Sequence, residues 1–184
     1  MNRLATPGQL RASLLRWSLF LIPAVILLGS LSGIVGGSGA DGPWFMALEK
    51  PAIFPPPATF GIVWTALYAM MGLALAMVCA AWGARWRPWA ILAFVVQFAL
   101  NLAWSPVFFG AHEITVALYI ILALDVLVLL TIWLFWKVRP LAALLLLPYL
   151  AWILFAGVLN YEFLRLNPDA DGAEGSYAVQ RIEL

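Results

Sequence analysis

Apolar runs of about 20 residues, separated by shorter polar segments, make up most of this chain. A helix of that length is enough to cross a hydrocarbon core of about 30 Å. Polar residues do not recur at every second position within the runs, as a membrane β-barrel would require. The sequence therefore predicts an all-α membrane protein, a bundle of five transmembrane helices, with spans at residues 14–35, 58–81, 89–109, 114–136 and 141–164.

The composition supports a membrane protein and excludes an ordinary soluble domain. Of the 184 residues, 65% are hydrophobic and 10% are charged, and the mean hydropathy is +0.97. Soluble domains contain far fewer apolar and far more charged residues. We expect one multi-pass membrane domain at 14–166, an N-terminal extension at 1–13 and a polar, disordered tail at 167–184.

The distribution of charge between the spans predicts the orientation of the chain. The segments on one side of the membrane carry seven cations: Arg3, Arg11, Arg16, Arg85, Arg87, Lys137 and Arg139. Those on the other side carry three: Lys50, Arg165 and Arg181. Cytoplasmic loops are rich in lysine and arginine, so the N-terminus is expected in the cytoplasm if the protein sits in an inner membrane. The expected location is a bacterial cell membrane. The net charge of +1 says nothing about partners, and we expect no nucleic-acid partner.

Gly29 and Gly33 in the first span and Gly37 just after it follow one another at intervals of four residues. Such a glycine face favours close packing against another helix. A cleavable secretory signal is the alternative, because arginines precede the apolar stretch and small residues follow it. Cleavage would leave an even number of spans, so we expect the first span to be retained.

Four polar or aromatic side chains interrupt the third apolar run. Gln97, Asn101, Trp104 and Ser105 lie at i, i+4, i+7 and i+8, which places them on one face of a helix. Unpaired polar groups are costly in lipid, so this face should contact protein or a cavity. Two interpretations stay open: a polar seam between two helices, or one wall of a site for a large apolar ligand.

The loop at residues 36–57 changes character along its length. It begins with flexible glycines and ends with Pro55, Pro56 and Pro57, which stiffen the backbone. Between them, residues 44–50 form an apolar segment that favours a short amphipathic helix. The loop is interpreted as a lid over a site; the alternative is a helix lying at the membrane surface with Trp44 as its anchor.

Three segments together resemble the TspO/MBR family, the tryptophan-rich sensory proteins or translocator proteins. They are WFMALEKP at 44–51, NLAWSPVFFG at 101–110 and PYLAWILFAGVLNYE at 148–162, and the resemblance extends from about residue 20 to Asn167. One position departs from the family: where many members have a second tryptophan after the Lys-Pro pair, this chain has Ile53.

The resemblance implies a five-helix bundle, often dimeric, that binds porphyrins and in some members sterols, in a pocket beneath the first loop. Trp44 and Trp152 match a pair of tryptophans implicated in porphyrin breakdown. Trp64 and Asn101 match positions that hydrogen-bond a ligand carbonyl. Ala156 matches a small residue at which added bulk disturbs binding or packing.

The predicted site contains no cofactor and no metal cluster, and its partners are a porphyrin or another apolar small molecule, membrane lipid, a sterol and a second copy of the chain. A loose pattern proposed for cholesterol contact falls on Leu159, Tyr161 and Arg165. The predicted ligand wall consists of Trp44, Trp64, Tyr68, Asn101, Trp104, Ser105, Trp152 and Ala156.

Two functions of different class stay open. The first is a binding protein that senses, sequesters or transports tetrapyrroles or related ligands. The alternative is an enzyme that degrades porphyrin through a tryptophan radical at Trp44 or Trp152. Two further polar residues have no assigned role: Asp125, an acid within the fourth span, and His112, which has the chemistry of an axial haem ligand but no supporting motif.

Overall fold

The computed structural model describes residues 6–37 and 42–172. Within this part of the chain, five helices are long and apolar enough to cross a membrane, as the sequence predicts. The α-helices are α1 (Pro7–Val35), α2 (Pro43–Ala47), α3 (Pro57–Cys79), α4 (Arg87–Ser105), α5 (Ile114–Val138), α6 (Pro140–Leu144) and α7 (Leu147–Leu166). A π-helical turn at Pro106–Gly110 extends α4, and a 3-10 turn at Pro168–Ala170 follows α7.

Prolines and a capping box account for several helix boundaries. Thr6 and Gln9 form a reciprocal capping box at the start of α1, which satisfies backbone N–H groups that the first turn leaves unpaired. Pro57 and Pro140 occupy the first position of α3 and α6, where the missing N–H is not needed. Pro106 cannot donate the bond that would continue α4, and the chain widens there into the π-helical turn.

Glycine allows α1 and α3 to pack closely. A Cβ atom added to Gly72 would lie 2.7 Å from the Ile22 Cα, and one added to Gly29 would lie 2.2 Å from the Tyr68 ring. The predicted close packing is therefore confirmed at Gly29. It is wrong for Gly37, where no atom of the described residues lies within 4 Å of an added Cβ.

The interior contains two clusters of buried side chains. The larger lies among α3, α4, α5 and α7 and includes the fully buried Phe94, Phe135 and Tyr149. The smaller joins α2 to the ends of α4, α5 and α7 and includes Phe45, Phe108 and Phe163. Because α2 contributes to the smaller cluster, the first loop folds over one end of the bundle, and we call residues 42–57 the lid.

The first part of the tail that the sequence predicts to be disordered is folded in the structure. We call residues 167–172 the C-terminal strap: Ala170 is buried, and the Gly172 N–H donates to the His112 carbonyl at 3.0 Å. The rest of that predicted tail, residues 173–184, lies outside the described residues, as do residues 1–5 of the predicted N-terminal extension.

Candidate functional site

A cavity of about 620 Å³ lies beneath the lid and between the spanning helices. All five spanning segments and the lid contribute to its wall. Seven of the eight residues of the predicted ligand wall line it: Trp64, Tyr68, Asn101, Trp104, Ser105, Trp152 and Ala156.

Indole rings from three different helices face this cavity. The Trp64 ring stacks on Tyr68, with centroids 5.2 Å apart, and the Trp104 ring stacks on Phe108 at 5.0 Å. Trp152 meets the Phe60 ring edge-on at 5.8 Å. These contacts hold the indoles in place before any ligand arrives, so the cavity offers a preformed aromatic wall.

The buried Trp152 indole Nε1 has no hydrogen-bond partner among the described residues. A buried donor without a partner is costly, and nearly all such groups in native proteins are satisfied by protein, water or ligand. Trp152 lines the cavity, but Nε1 itself has almost no exposed surface, so a ligand acceptor would recover that cost once the indole ring turns toward the cavity.

A chain of hydrogen bonds joins α3, α4 and α7 at the floor of the cavity. The Tyr68 hydroxyl donates to Asn101 Oδ1 at 3.1 Å, Asn101 Nδ2 donates to the Tyr149 hydroxyl at 3.1 Å, and that hydroxyl donates to Gln97 Oε1 at 3.0 Å. On the polar face of α4, Gln97 thus belongs to a seam between helices. Asn101 belongs to the same seam and also lines the cavity. Further along the same face, Trp104 and Ser105 line the cavity.

A second set of bonds fixes the Trp104 ring. Its Nε1 donates to Asn160 Oδ1 at 3.1 Å, and Asn160 Nδ2 donates to the Ile114 carbonyl at 3.0 Å. One asparagine on α7 therefore orients an indole on α4 and also links α7 to the first residue of α5. Trp152, Ala156 and Asn160 follow one another at intervals of four, and all line the cavity.

The lid closes the cavity with phenylalanine. The Phe45 ring lies 5.2 Å from Phe109, 5.6 Å from Phe163 and 5.9 Å from Phe54. Lys50 holds this short helix from its end, because its ammonium donates to the Phe45 and Leu48 carbonyls and lies over the Phe45 ring. Burial lowers the pKa of the Lys50 ammonium.

Trp44 does not line this cavity, although the resemblance placed it in the ligand wall. Its ring is buried behind Phe45, stacks on His112 with centroids 4.5 Å apart, and donates from Nε1 to the Ala170 carbonyl at 3.3 Å. With 8% of its surface exposed, Trp44 is also not a surface anchor of the lid. Adjacent residues of a helix point in different directions, so Phe45 faces the cavity and Trp44 faces the strap.

The C-terminal strap ties the lid to α5. The Asn167 amide bonds both backbone groups of Glu49, accepting from its N–H at 2.7 Å and donating to its carbonyl at 3.0 Å. Asp171 accepts from the Thr115 N–H at 3.0 Å and from its hydroxyl, which caps the first turn of α5. The strap therefore holds the lid closed over the cavity.

Replacing Asn167 with alanine should loosen the lid, since it removes both bonds to Glu49 and a third to the Phe163 carbonyl. We expect amide hydrogen exchange at residues 44–50 to accelerate by about tenfold, which corresponds to about 1.4 kcal/mol of lost closing free energy. The matched control is Glu162→Gln, which removes only the exposed ion pair with Arg165 and should leave the lid unchanged. Parental exchange rates in Asn167→Ala would show that the strap does not hold the lid.

The three residues of the cholesterol pattern do not converge. Leu159 is buried and lines the cavity, whereas Tyr161 is 54% exposed on the outer surface. Arg165 is also exposed and forms an ion pair with Glu162 at 2.7 Å. Residues two apart on a helix lie on opposite sides, which explains the separation.

Asp125 lies between α5 and α7 rather than in the cavity. Its Oδ2 is 3.8 Å from the position of a Cβ added to Gly157, and its buried Oδ1 has no hydrogen-bond partner among the described residues. In the described part of the chain, Asp125 Oδ1 accepts no interhelix hydrogen bond, and Asp125 does not line the cavity.

The sequence did not single out the six phenylalanines that line the cavity: Phe45, Phe54, Phe60, Phe108, Phe109 and Phe163. The apolar character of the lid pointed to Phe45 and Phe54, whereas the other four lie outside the lid. The direction of Phe45 could not be predicted, because a helix of five residues has no periodicity to read.

Comparison with known proteins identifies relatives over two thirds or more of the chain. The family model described as the TspO/MBR family matches residues 20–166. Protein CrtK of Rhodobacter capsulatus is 34% identical over 154 residues, covering 82% of this chain and 95% of that protein. The tryptophan-rich protein TspO of Archaeoglobus fulgidus is 42% identical, and the match covers 67% of this chain and 80% of that protein. The human translocator protein is 37% identical, and the match covers 79% of this chain and 90% of that protein.

Proposed function

The chain belongs to the TspO/MBR family, and from that premise we propose that this multi-pass membrane protein binds a tetrapyrrole in the cavity beneath its lid. A sterol is a second class of ligand that an apolar cavity of this kind accommodates. The protein would act in sensing, sequestering or transporting such ligands, and so in porphyrin metabolism or a stress response.

The observation that carries this proposal is the combination of three indoles with one unsatisfied donor. Trp64, Trp104 and Trp152 offer stacking surfaces for a flat macrocycle. The unpaired Trp152 N–H suits an acceptor such as a porphyrin carboxylate, since charge-assisted hydrogen bonds are the stronger ones. The cavity of about 620 Å³ falls within the range of about 300–1,000 Å³ that small-molecule sites occupy.

Binding is favoured over the alternative of porphyrin degradation. A radical route at Trp44 or Trp152 needs the indole that carries the radical to lie close to the macrocycle. Trp152 lines the cavity, but Trp44 is buried between His112 and the strap, with its N–H already bonded to the Ala170 carbonyl. Trp44, one of the two candidate radical sites, therefore does not face the ligand cavity.

Titration with protoporphyrin IX, followed by quenching of tryptophan fluorescence, tests the proposal. We expect a dissociation constant in the micromolar range, because stacking and apolar burial must offset the cost of ordering the ligand and the lid. Trp152→Phe should weaken binding by about tenfold, or about 1.4 kcal/mol, since phenylalanine keeps a stacking surface but loses the N–H. The unfolding midpoint should change little, because the parental N–H has no partner in the described protein.

The matched control is Trp133→Phe. Trp133 is 48% exposed and lies outside the residues that line the cavity, so this variant loses an indole but no ligand contact. Its affinity should equal that of the parent. Equal affinities in Trp152→Phe and the parent would place the ligand elsewhere.

We further propose that the protein resides in a bacterial cell membrane as a homodimer, with its N-terminus in the cytoplasm and the lid on the outer side. The orientation rests on the cations that flank the spans. Among the described residues, Arg11, Arg16, Arg85, Arg87, Lys137 and Arg139 belong to the end away from the lid, and Lys50 and Arg165 belong to the lid end.

A further inference from the structure

The cavity has a second boundary besides the lid, where α1 and α3 run side by side. Near the middle of the bundle these helices touch, with Gly72 against Ile22 and Gly29 against Tyr68. Because the two helices are antiparallel, residues 30–37 then lie opposite residues 57–65. Along this stretch, residues of both helices line the cavity and are also exposed: Ser30, Ile34, Gly37, Pro57, Gly61 and Thr65.

These six residues surround an opening, which we call the side portal. Ser30 and Ile34 on α1 and Gly37 just beyond its end lie at i, i+4 and i+7. Pro57, Gly61 and Thr65 on α3 lie at i, i+4 and i+8, so each set of three forms one face. No atom of the described residues lies within 4 Å of a Cβ added to Gly61, and the same holds for Gly37. Among the described residues, the space beside both glycines is therefore open.

The rim of the side portal is suited to hydrocarbon. The Thr65 hydroxyl donates to the Gly61 carbonyl of its own helix at 2.7 Å, so it needs neither water nor a ligand. Neighbouring side chains on the outer surface are apolar, with Ile62 72% exposed and Val35 79% exposed. Exposure of this kind is stable when the surrounding medium is lipid.

The depth of the side portal places it in the lid-side leaflet. Helix α3 has 23 residues and is about 34 Å long, close to the thickness of a hydrocarbon core of about 30 Å. Gly61 and Thr65 lie about 6 Å and about 12 Å along α3 from its first residue. The aqueous end of the cavity is covered by Phe45 and its ring contacts with Phe54, Phe109 and Phe163.

We propose that ligands enter and leave the cavity sideways, from the lid-side leaflet through the side portal. The ligand class is then an amphiphile that dissolves in the bilayer, with an apolar body at the depth of Gly61 and Thr65 and a polar end near the headgroups. The lid stays closed while the ligand passes. This route presupposes that the cavity binds tetrapyrroles, as proposed above.

The rate of ligand release tests this route. Protein in lipid nanodiscs is loaded with protoporphyrin IX and mixed with excess serum albumin as an acceptor, and porphyrin fluorescence reports release. Gly61→Phe fills the side portal without meeting any described atom near its Cβ, and Thr65→Phe fills it one turn further along. Each variant should slow release at least tenfold.

Ile62→Phe is the matched control, because it adds the same ring to the same helix on the outward face and should release porphyrin at the parental rate. Parental or faster release from both portal variants would overturn the route while leaving the binding proposal intact. Failure of the parent itself to bind protoporphyrin IX would instead overturn the proposed function.

Discussion

Ala156→Phe is expected to weaken protoporphyrin IX binding at least hundredfold, or by about 2.7 kcal/mol, while the protein remains folded. Ala156 lines the cavity on the same face of α7 as Trp152 and Asn160. A phenylalanine ring at this position would occupy space that the macrocycle needs. It would fill empty volume instead of clashing with the core, so the unfolding midpoint should be preserved.

Fluorescence titration of the purified variant measures this effect, with Val158→Phe as the matched control. Val158 is 54% exposed and lies outside the cavity lining, so the same ring is added on the lipid side of α7. Parental affinity is expected for Val158→Phe. If Ala156→Phe bound porphyrin as tightly as the parent, the ligand would not occupy the cavity at α7.

Gly72→Ala is expected to destabilise the fold by about 1–3 kcal/mol, the usual cost of forcing an extra methyl group into a packed interface. The added Cβ would lie 2.7 Å from the Ile22 Cα and 2.9 Å from the Leu21 carbonyl oxygen. Both are backbone atoms, so no side chain can rotate away, and α1 must move from α3.

Gly61→Ala provides the comparison for this prediction within the same helix. No described atom lies within 4 Å of its added Cβ, and alanine in a helix is more stable than glycine by about 0.5–1 kcal/mol. Unfolding in mixed detergent micelles should therefore rank Gly61→Ala at or above the parent and Gly72→Ala clearly below it. Equal stability of the two variants would show that α1 and α3 do not pack as described.

The five spans could be predicted from the sequence because each is a continuous apolar run of membrane-crossing length. The polar face of α4 was also predictable, since Gln97, Asn101, Trp104 and Ser105 follow helical spacing. The choice between a seam and a ligand wall could not be predicted, because it depends on which partner lies opposite. For Asn101 that partner is Tyr149, which is 48 residues further along the chain.

The arrangement of the lid and strap could not be predicted. The polar composition of residues 167–172 favoured a solvated tail, yet Asn167 and Asp171 bond backbone groups of Glu49 and Thr115, which are distant in sequence. Local composition carries no information about such long-range capping. The separation of Tyr161 from Leu159, in contrast, follows from their spacing on a helix and was available from the sequence alone.

The position of a bound macrocycle tests the central claim most directly. In crystals of the protein grown with zinc protoporphyrin IX, anomalous scattering from the zinc marks the centre of the ring. The account predicts one peak per chain within the cavity, among Trp64, Trp104 and Trp152. A peak on the lipid-facing surface or beside Trp44, with the cavity unoccupied, would contradict it.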